Sequence, residues 1–176
     1  MCIRDSYTNE VVEIITELDA EDQVRFITDS VEQATEIYNQ NPEIHLGLFI
    51  TPDNRETVFA DIEVAPFTLD KISAFTGTQP QPAEFYADLH QQGIVAIQGL
   101  FGTQEDFNST SIDNLNNQQR ESLFKSVYAD GGDIIASDYY RETAEIIGYP
   151  VEKNLDILLV NDDGFAAEGI NFLFDG

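Results

Sequence analysis

Short apolar runs recur along this chain, and each is followed by a segment whose apolar residues repeat at helical spacing. Val24–Thr28, Ile44–Ile50, Ile94–Gln98 and Asp133–Ala136 have strand length. Val31, Ala34, Ile37 and Tyr38 follow the first, Leu123, Phe124, Val127 and Tyr128 precede the last, and Phe85, Tyr86 and Leu89 lie between. A compact apolar run suits a strand buried on both sides, and regular alternation with amphipathic helices argues for parallel strands joined by right-handed crossovers. The fold class is therefore α/β.

The boundaries carry their own chemistry. Val11, Val12, Ile14, Ile15 and Leu18 give an opening helix. Ser30 with Gln33 three residues on has the form of a capping box, and Asn41-Pro42 stops the helix that follows. Pro82 suits a helical first turn, Gly93 lies just past that helix, Gly131-Gly132 ends the next, and Gly148 stops a short helix from Arg141 to Ile147. Elsewhere the pattern is weaker. A polar loop is expected from Thr51 to Glu56, a further short strand over Phe59–Val64, a helical turn or two over Thr68–Phe75, and a loop over Gly77–Pro82. Gly99–Gln119 reads as a long polar loop of the kind that often carries function, with a glycosylation-acceptor pattern at Asn108-Ser109-Thr110. No internal repeat or low-complexity segment interrupts the chain.

At 176 residues the chain has room for a sizeable core, and its 42% apolar share is ordinary. Its charge is not: Asp+Glu 33 against Lys+Arg 8 leaves a net charge of −25. Such a field repels nucleic-acid backbones and anionic membranes, so no polynucleotide partner is expected. Cys2 is the sole cysteine, which excludes an intrachain disulfide. Residues 1–6, Met-Cys-Ile-Arg-Asp-Ser, read as a non-native leader, with the native start missing, and no run is apolar enough to span a membrane.

Polar residues recur after the strands: Thr28-Asp29, Thr51 to Asp53, Gln98 and Ser137-Asp138. In a β/α barrel these positions face the catalytic mouth, which makes Thr28, Gln98, Ser137 and Asp138 the candidate substrate-binding residues. His45 stands at the start of a strand and His90 on a helix, so neither is placed for catalysis, and no catalytic residue is assigned. Near the end, Leu155–Val160 reads as another buried strand, followed by Asn161-Asp162-Asp163-Gly164 and a small, apolar helix start. Asp162 and Asp163 then sit at a strand's C-terminal edge. Two readings stay open for them: oxygen ligands for a divalent cation, or an Asp-rich turn in which one carboxylate caps a helix.

From about Val11 to Gly148 the chain resembles the C-terminal half of a glycerophosphodiester phosphodiesterase barrel. The resemblance rests on the Val-Val-x-Ile-Ile helix, the Val24–Thr28 strand, Asn41-Pro42-Glu43-Ile44, Leu46-Gly47-Leu48-Phe49, Gly93-Ile94-Val95-Ala96 and Gly132-Asp133-Ile134-Ile135-Ala136-Ser137-Asp138-Tyr139. Ser137 and Tyr140 replace a Thr and a Pro of the family's closing motif, Thr28-Asp29 stands where Ser-Phe is common, and an aromatic is missing near Ile97-Gln98. The resemblance implies metal-assisted cleavage of a phosphodiester by a His pair and Glu/Asp ligands that come from the first half of the barrel. Those motifs have no counterpart here, so this chain alone is expected to be inactive.

The last stretch, Ile157 to Gly164 with Ala167, Gly169 and Ile170, resembles the opening strand of SurE-type 5'/3'-nucleotidases. That resemblance implies metal ligation by Asp162 and Asp163, with Glu168 where a Pro is common. The expected organisation is then a leader over 1–6, half of a TIM (β/α)8 barrel over 7–150, a linker over 151–154, and over 155–176 the first strand and helix of a Rossmann-like SurE domain. The implied cofactor is a divalent cation (Mg, Ca or Mn) in the parent protein, and the implied partner a small phosphate-ester substrate. For a bacterial parent a periplasmic or extracellular location is favoured. The unpaired edges of Val24–Thr28 and Asp133–Ala136 invite self-association. The rival expectation is a noncatalytic acidic α/β module that binds calcium or a protein partner.

Overall fold

The computed structural model describes residues 8–101 and 112–148. Five strands, β1 (Arg25–Thr28), β2 (His45–Phe49), β3 (Ile72–Phe75), β4 (Val95–Leu100) and β5 (Ile134–Ser137), pair in the order β1-β2-β3-β4-β5. Every neighbouring pair is parallel. Helices alternate with them: α1 (Thr8–Glu17), α2 (Val31–Gln40), α3 (Arg55–Glu63), α4 (Ala83–Gln91), α5 (Asn117–Asp130) and α6 (Tyr140–Ile147). A doubly wound sheet reverses its order at a switch point. Unbroken order with crossovers of one hand instead places the connecting helices on a single face, and the sheet curls into half of a β/α barrel.

The register divides the residues between two faces. Leu46, Leu48, Ile72, Ala74 and Ala96 lie on the convex side, at most 2% exposed, and form one core with Ala34 and Ile37 of α2 and Tyr86 and Leu89 of α4. Leu100 and Ile135 continue that side into a smaller cluster with Ile112, Phe124 and Val127 under α5. The alternate positions, Ile27, Gly47, Phe49, Ser73, Phe75, Val95, Ile97 and Gly99, form the concave side. There Ile27, Phe75 and Val95 are only half-buried and Phe49 is exposed.

Two expectations are corrected. Phe59–Val64 is not a strand but part of α3, because Val58, Phe59, Ile62 and Ala65 reach the core at helical spacing, whereas Val64, which a strand would bury with Ile62, is 87% exposed. The expected loop before it therefore ends at Asn54. Thr68–Phe75 is a single 3-10 turn over Leu69–Lys71 followed by β3, whose four residues, Ile-Ser-Ala-Phe, hide the strand by carrying a polar and a small residue at its centre. The caps behave as their chemistry dictates. Ser30 Oγ accepts from Gln33 N at 3.2 Å. A full capping box stands at α5, where Asn116 accepts from Gln119 N at 3.0 Å and Gln119 accepts from Asn116 N at 2.9 Å, so this helix begins inside the stretch expected to be loop. Residues 151–176, and with them the linker and SurE-like start, lie outside the described residues.

Candidate functional site

Parallel strands bring all their C-terminal ends to one rim, where open α/β sheets and β/α barrels place ligands. Along this rim lie Thr28, Phe49, Phe75 to Gly77, Gly99 to Phe101, and Ser137 with Asp138. The β2 end is fixed by Asn54, whose side chain accepts from Thr51 N at 2.7 Å and donates to Phe49 O at 3.0 Å. On the concave side the rim is aromatic. The Phe49 and Phe75 rings meet at 5.9 Å with a 40° tilt, and Gly77, at φ 92°, lies beside the Phe49 ring. Gly99 leaves room for the edges of Phe75 and a third ring, Phe101: a Cβ there would lie 2.7 Å from the Phe101 ring and 3.0 Å from Phe75. This wall offers apolar contact to the organic part of a ligand, and its rings bring no titratable group.

The structure brings few of the sequence candidates to this wall. Gln98 is fully buried on the convex side. Its Oε1 accepts from Thr76 Oγ1 at 2.8 Å and from the Tyr86 hydroxyl at 2.7 Å, while its Nε2 donates to Gly77 O at 2.7 Å and Gly99 O at 2.9 Å. That uses every hydrogen bond a glutamine amide can make, and in this structure Gln98 ties α4 to β3 and β4. Burial pushes the Tyr86 phenol pKa up, which keeps it a donor. Thr28 is 3% exposed and donates to Ser30 O at 3.2 Å, with Gly47 O at 3.5 Å, so it closes a turn. Ser137 Oγ accepts from Tyr139 N at 3.1 Å. Of the four, Asp138 alone is exposed, at the β5 tip.

The β5 tip is braced by a residue that sequence reasoning missed. Arg120 of α5, 9% exposed, donates through Nε to both carboxylate oxygens of Glu142 at 3.2 and 3.1 Å, through Nη1 to Leu115 O at 2.7 Å, and through Nη2 to Asn117 Oδ1 at 2.7 Å. Its guanidinium also lies 4.3 Å from the Tyr139 ring centroid. Tyr139 donates its hydroxyl to Asp113 at 2.7 Å, and that bond raises the phenol pKa. An arginine inside a polar helix gives no periodic signal, since only the fold shows which carboxylate it meets.

The histidines stay away from the rim. His45 opens β2 at the opposite edge, with Nε2 3.0 Å from Ser73 Oγ, and burial, then Arg25 and Lys71, hold its pKa below the usual imidazole range. His90 lies 2.9 Å from Asp133 Oδ2, which also accepts from Ala96 N at 2.8 Å, so this pair anchors the turn before β5. Among the described residues no group of three or more His, Cys, Asp or Glu side chains could hold a metal ion. Asp162 and Asp163 lie outside those residues, as does the Asn108 acceptor pattern.

No family profile and no curated protein matches the chain. Solved structures do. A glycerophosphoryl diester phosphodiesterase from Parabacteroides distasonis superposes with a TM-score of 0.66 at 24% identity, covering 85% of this chain and 50% of its own. Proteins assigned to the same activity from Galdieria sulphuraria and Silicibacter pomeroyi give TM-scores of 0.52 and 0.50 at 12% identity, covering 82% and 81% of this chain. The shared property is the fold. This chain spans about half the length of those structures, 50%, 52% and 44%. No comparison supports the nucleotidase-like reading of residues 155–176. No helix among the described residues is long and apolar enough to cross a membrane.

Proposed function

We propose that this chain supplies the C-terminal half of the barrel of a phosphoric ester hydrolase of glycerophosphodiester phosphodiesterase type. The observation that supports the reading is the unbroken parallel order of five β/α units, shared with half of a solved diesterase of that type. In this reading the aromatic rim of Phe49, Phe75 and Phe101 holds the organic part of a small phosphodiester, and Asp138 stands at the edge of the same mouth. In this reading the described residues contribute walls and positioning to the mouth. The chain by itself is inactive, and the catalytic His pair and Glu/Asp ligands belong to the other half of the barrel.

For residues 155–176 we propose the start of a SurE-like phosphomonoesterase, with Asp162 and Asp163 as ligands of a divalent cation. The rival reading is a noncatalytic acidic module, and the internal bonding of Thr28, Gln98 and Ser137 favours it over any reading in which these side chains grip substrate. The test assays this chain on a glycerophosphodiester and the full-length gene product, with and without Asp162→Ala, on a nucleoside monophosphate. The chain alone should release no glycerol phosphate, and the substitution should abolish monoesterase activity. Diester cleavage by the isolated chain would overturn the first proposal, and unchanged monoesterase activity in the variant the second.

A further inference from the structure

At the edge of the sheet opposite the aromatic rim, basic groups converge on one hydroxyl. Arg25, the first residue of β1, pairs in register with His45, the first residue of β2, and both side chains reach Ser73 Oγ of β3, which is fully buried. Lys71 lies in the turn that leads into β3 and is near enough to act on His45. The chain has 8 Lys and Arg against 33 Asp and Glu, so chance should surround each cation with carboxylates. Arg55, Lys71, Arg120 and Lys125 each have one. Arg25 and Arg141 do not: Arg141 is exposed beside the Tyr140 ring, whereas the half-buried Arg25 donates to Ser73 Oγ and, among the described residues, meets no carboxylate. A guanidinium carries five N–H donors in a planar fork, and one hydroxyl leaves most of them unanswered in a half-buried position.

A Ser–His pair at hydrogen-bond distance also has the form of an activated nucleophile. That reading fails here, because Ser73 is inaccessible. The hydroxyl instead works as a bridge, accepting from Arg25 and facing His45 Nε2, and so holds the fork at the concave floor. The acidic groups facing the cluster are Asp70, on the His45 side, and Glu43, which lies 3.8 Å from Lys71 Nζ. Neither pairs with Arg25.

We propose that Arg25 and His45, held in place by the buried Ser73 hydroxyl, form a binding site for a carboxylate at the floor of the concave face, with the guanidinium fork taking both of its oxygens. The site lies at the opposite edge of the sheet from the rim, on the concave face that the barrel proposed above would turn toward its other half. The carboxylate comes from one of two sources, a free small carboxylic acid or an Asp or Glu side chain of a second copy of this chain seated against the open face. Both supply the same planar, bidentate partner.

The test titrates this chain with sodium acetate at constant ionic strength, following the His45 ring resonances and their pH titration, in the native sequence, in Arg25→Gln and in Arg25→Lys. Saturable binding that raises the His45 pKa, weakened about tenfold or more in R25Q and to a lesser degree in R25K, is the result expected for a free acid. Self-association that acetate competes away and that R25Q weakens about tenfold assigns the carboxylate to a second copy. Acetate binding of equal strength in all three proteins overturns the site. So does the absence of both acetate binding and Arg25-dependent association. R25K, which keeps the charge and most of the stem, keeps the experiment decisive where R25Q does not fold.

Discussion

The two faces of one sheet follow different rules. On the convex face most positions are sealed, with Phe26, Ile135 and Ser137 half-buried, and the polar groups there bond within the fold: Gln98 serves Thr76, Tyr86 and two backbone carbonyls. The concave face is aromatic at one edge and basic at the other, and several of its residues stay half-exposed. A face closed by its own helices spends its polar atoms on fixing the scaffold, while an open face leaves side chains available to something else. Polar residue type alone does not tell the two apart, because the strand period of two decides which face a residue joins.

The sharpest way to break this contrast is at Gln98. Gln98→Ala removes one hydrogen bond each from the Tyr86 hydroxyl, Thr76 Oγ1 and Gly77 O, of which only the Tyr86 O–H is left with no acceptor, and opens a cavity, so a loss on the order of 2 to 4 kcal/mol in denaturant unfolding is expected. A loss below about 1 kcal/mol would mean that the convex network is not a structural tie. Gly99→Ala comes next. Its new methyl meets the Phe101 and Phe75 rings and Gly77 O, and about 1 to 3 kcal/mol should be lost, with the aromatic rim displaced in ring chemical shifts. Phe49→Ser on the same rim should cost no more than about 1 kcal/mol, since the ring is already 38% exposed. A larger loss would show that the concave face is packed.

The smallest effect is in pH. Because His45 titrates below its ordinary value in the folded chain, the unfolded chain binds the proton more readily. Its contribution to stability is therefore complete above about pH 6.5 and is lost as pH falls toward the folded pKa. Melting temperatures compared between pH 7 and lower values should fall less in His45→Gln than in the native sequence, and identical profiles would remove His45 as the cause.

Much of the fold was legible because it depends on period. Ile44–Ile50 and Ile94–Gln98 are apolar on both sides, and Ser30 and Gly93 mark their helix ends. The strand that escaped, Ile72–Phe75, has Ser73 and Ala74 where a strong β-former would announce it, and the false strand at Phe59–Val64 alternated by accident on a helix with a weak apolar stripe. The site was less legible for a related reason. Thr28, Gln98 and Ser137 were rightly placed near strand ends, but whether each turns toward ligand or backbone is settled by neighbours distant in sequence. Arg120 and Arg25 are the same residue type with opposite fates, one enclosed by Glu142, Leu115 and Asn117, the other offered a single hydroxyl.

The unbroken strand order has a consequence for how the chain is made. Each strand lies against its predecessor in sequence, so every β/α unit finds its docking surface already present when it leaves the ribosome. Among the described strands none waits for a distant partner to arrive. Loop-closure costs stay local, and assembly can run from the first unit to the last as successive short annealing steps. Growth by accretion also leaves the newest strand as a template at each stage, and the fold lengthens by repeating one operation rather than by solving a new topology.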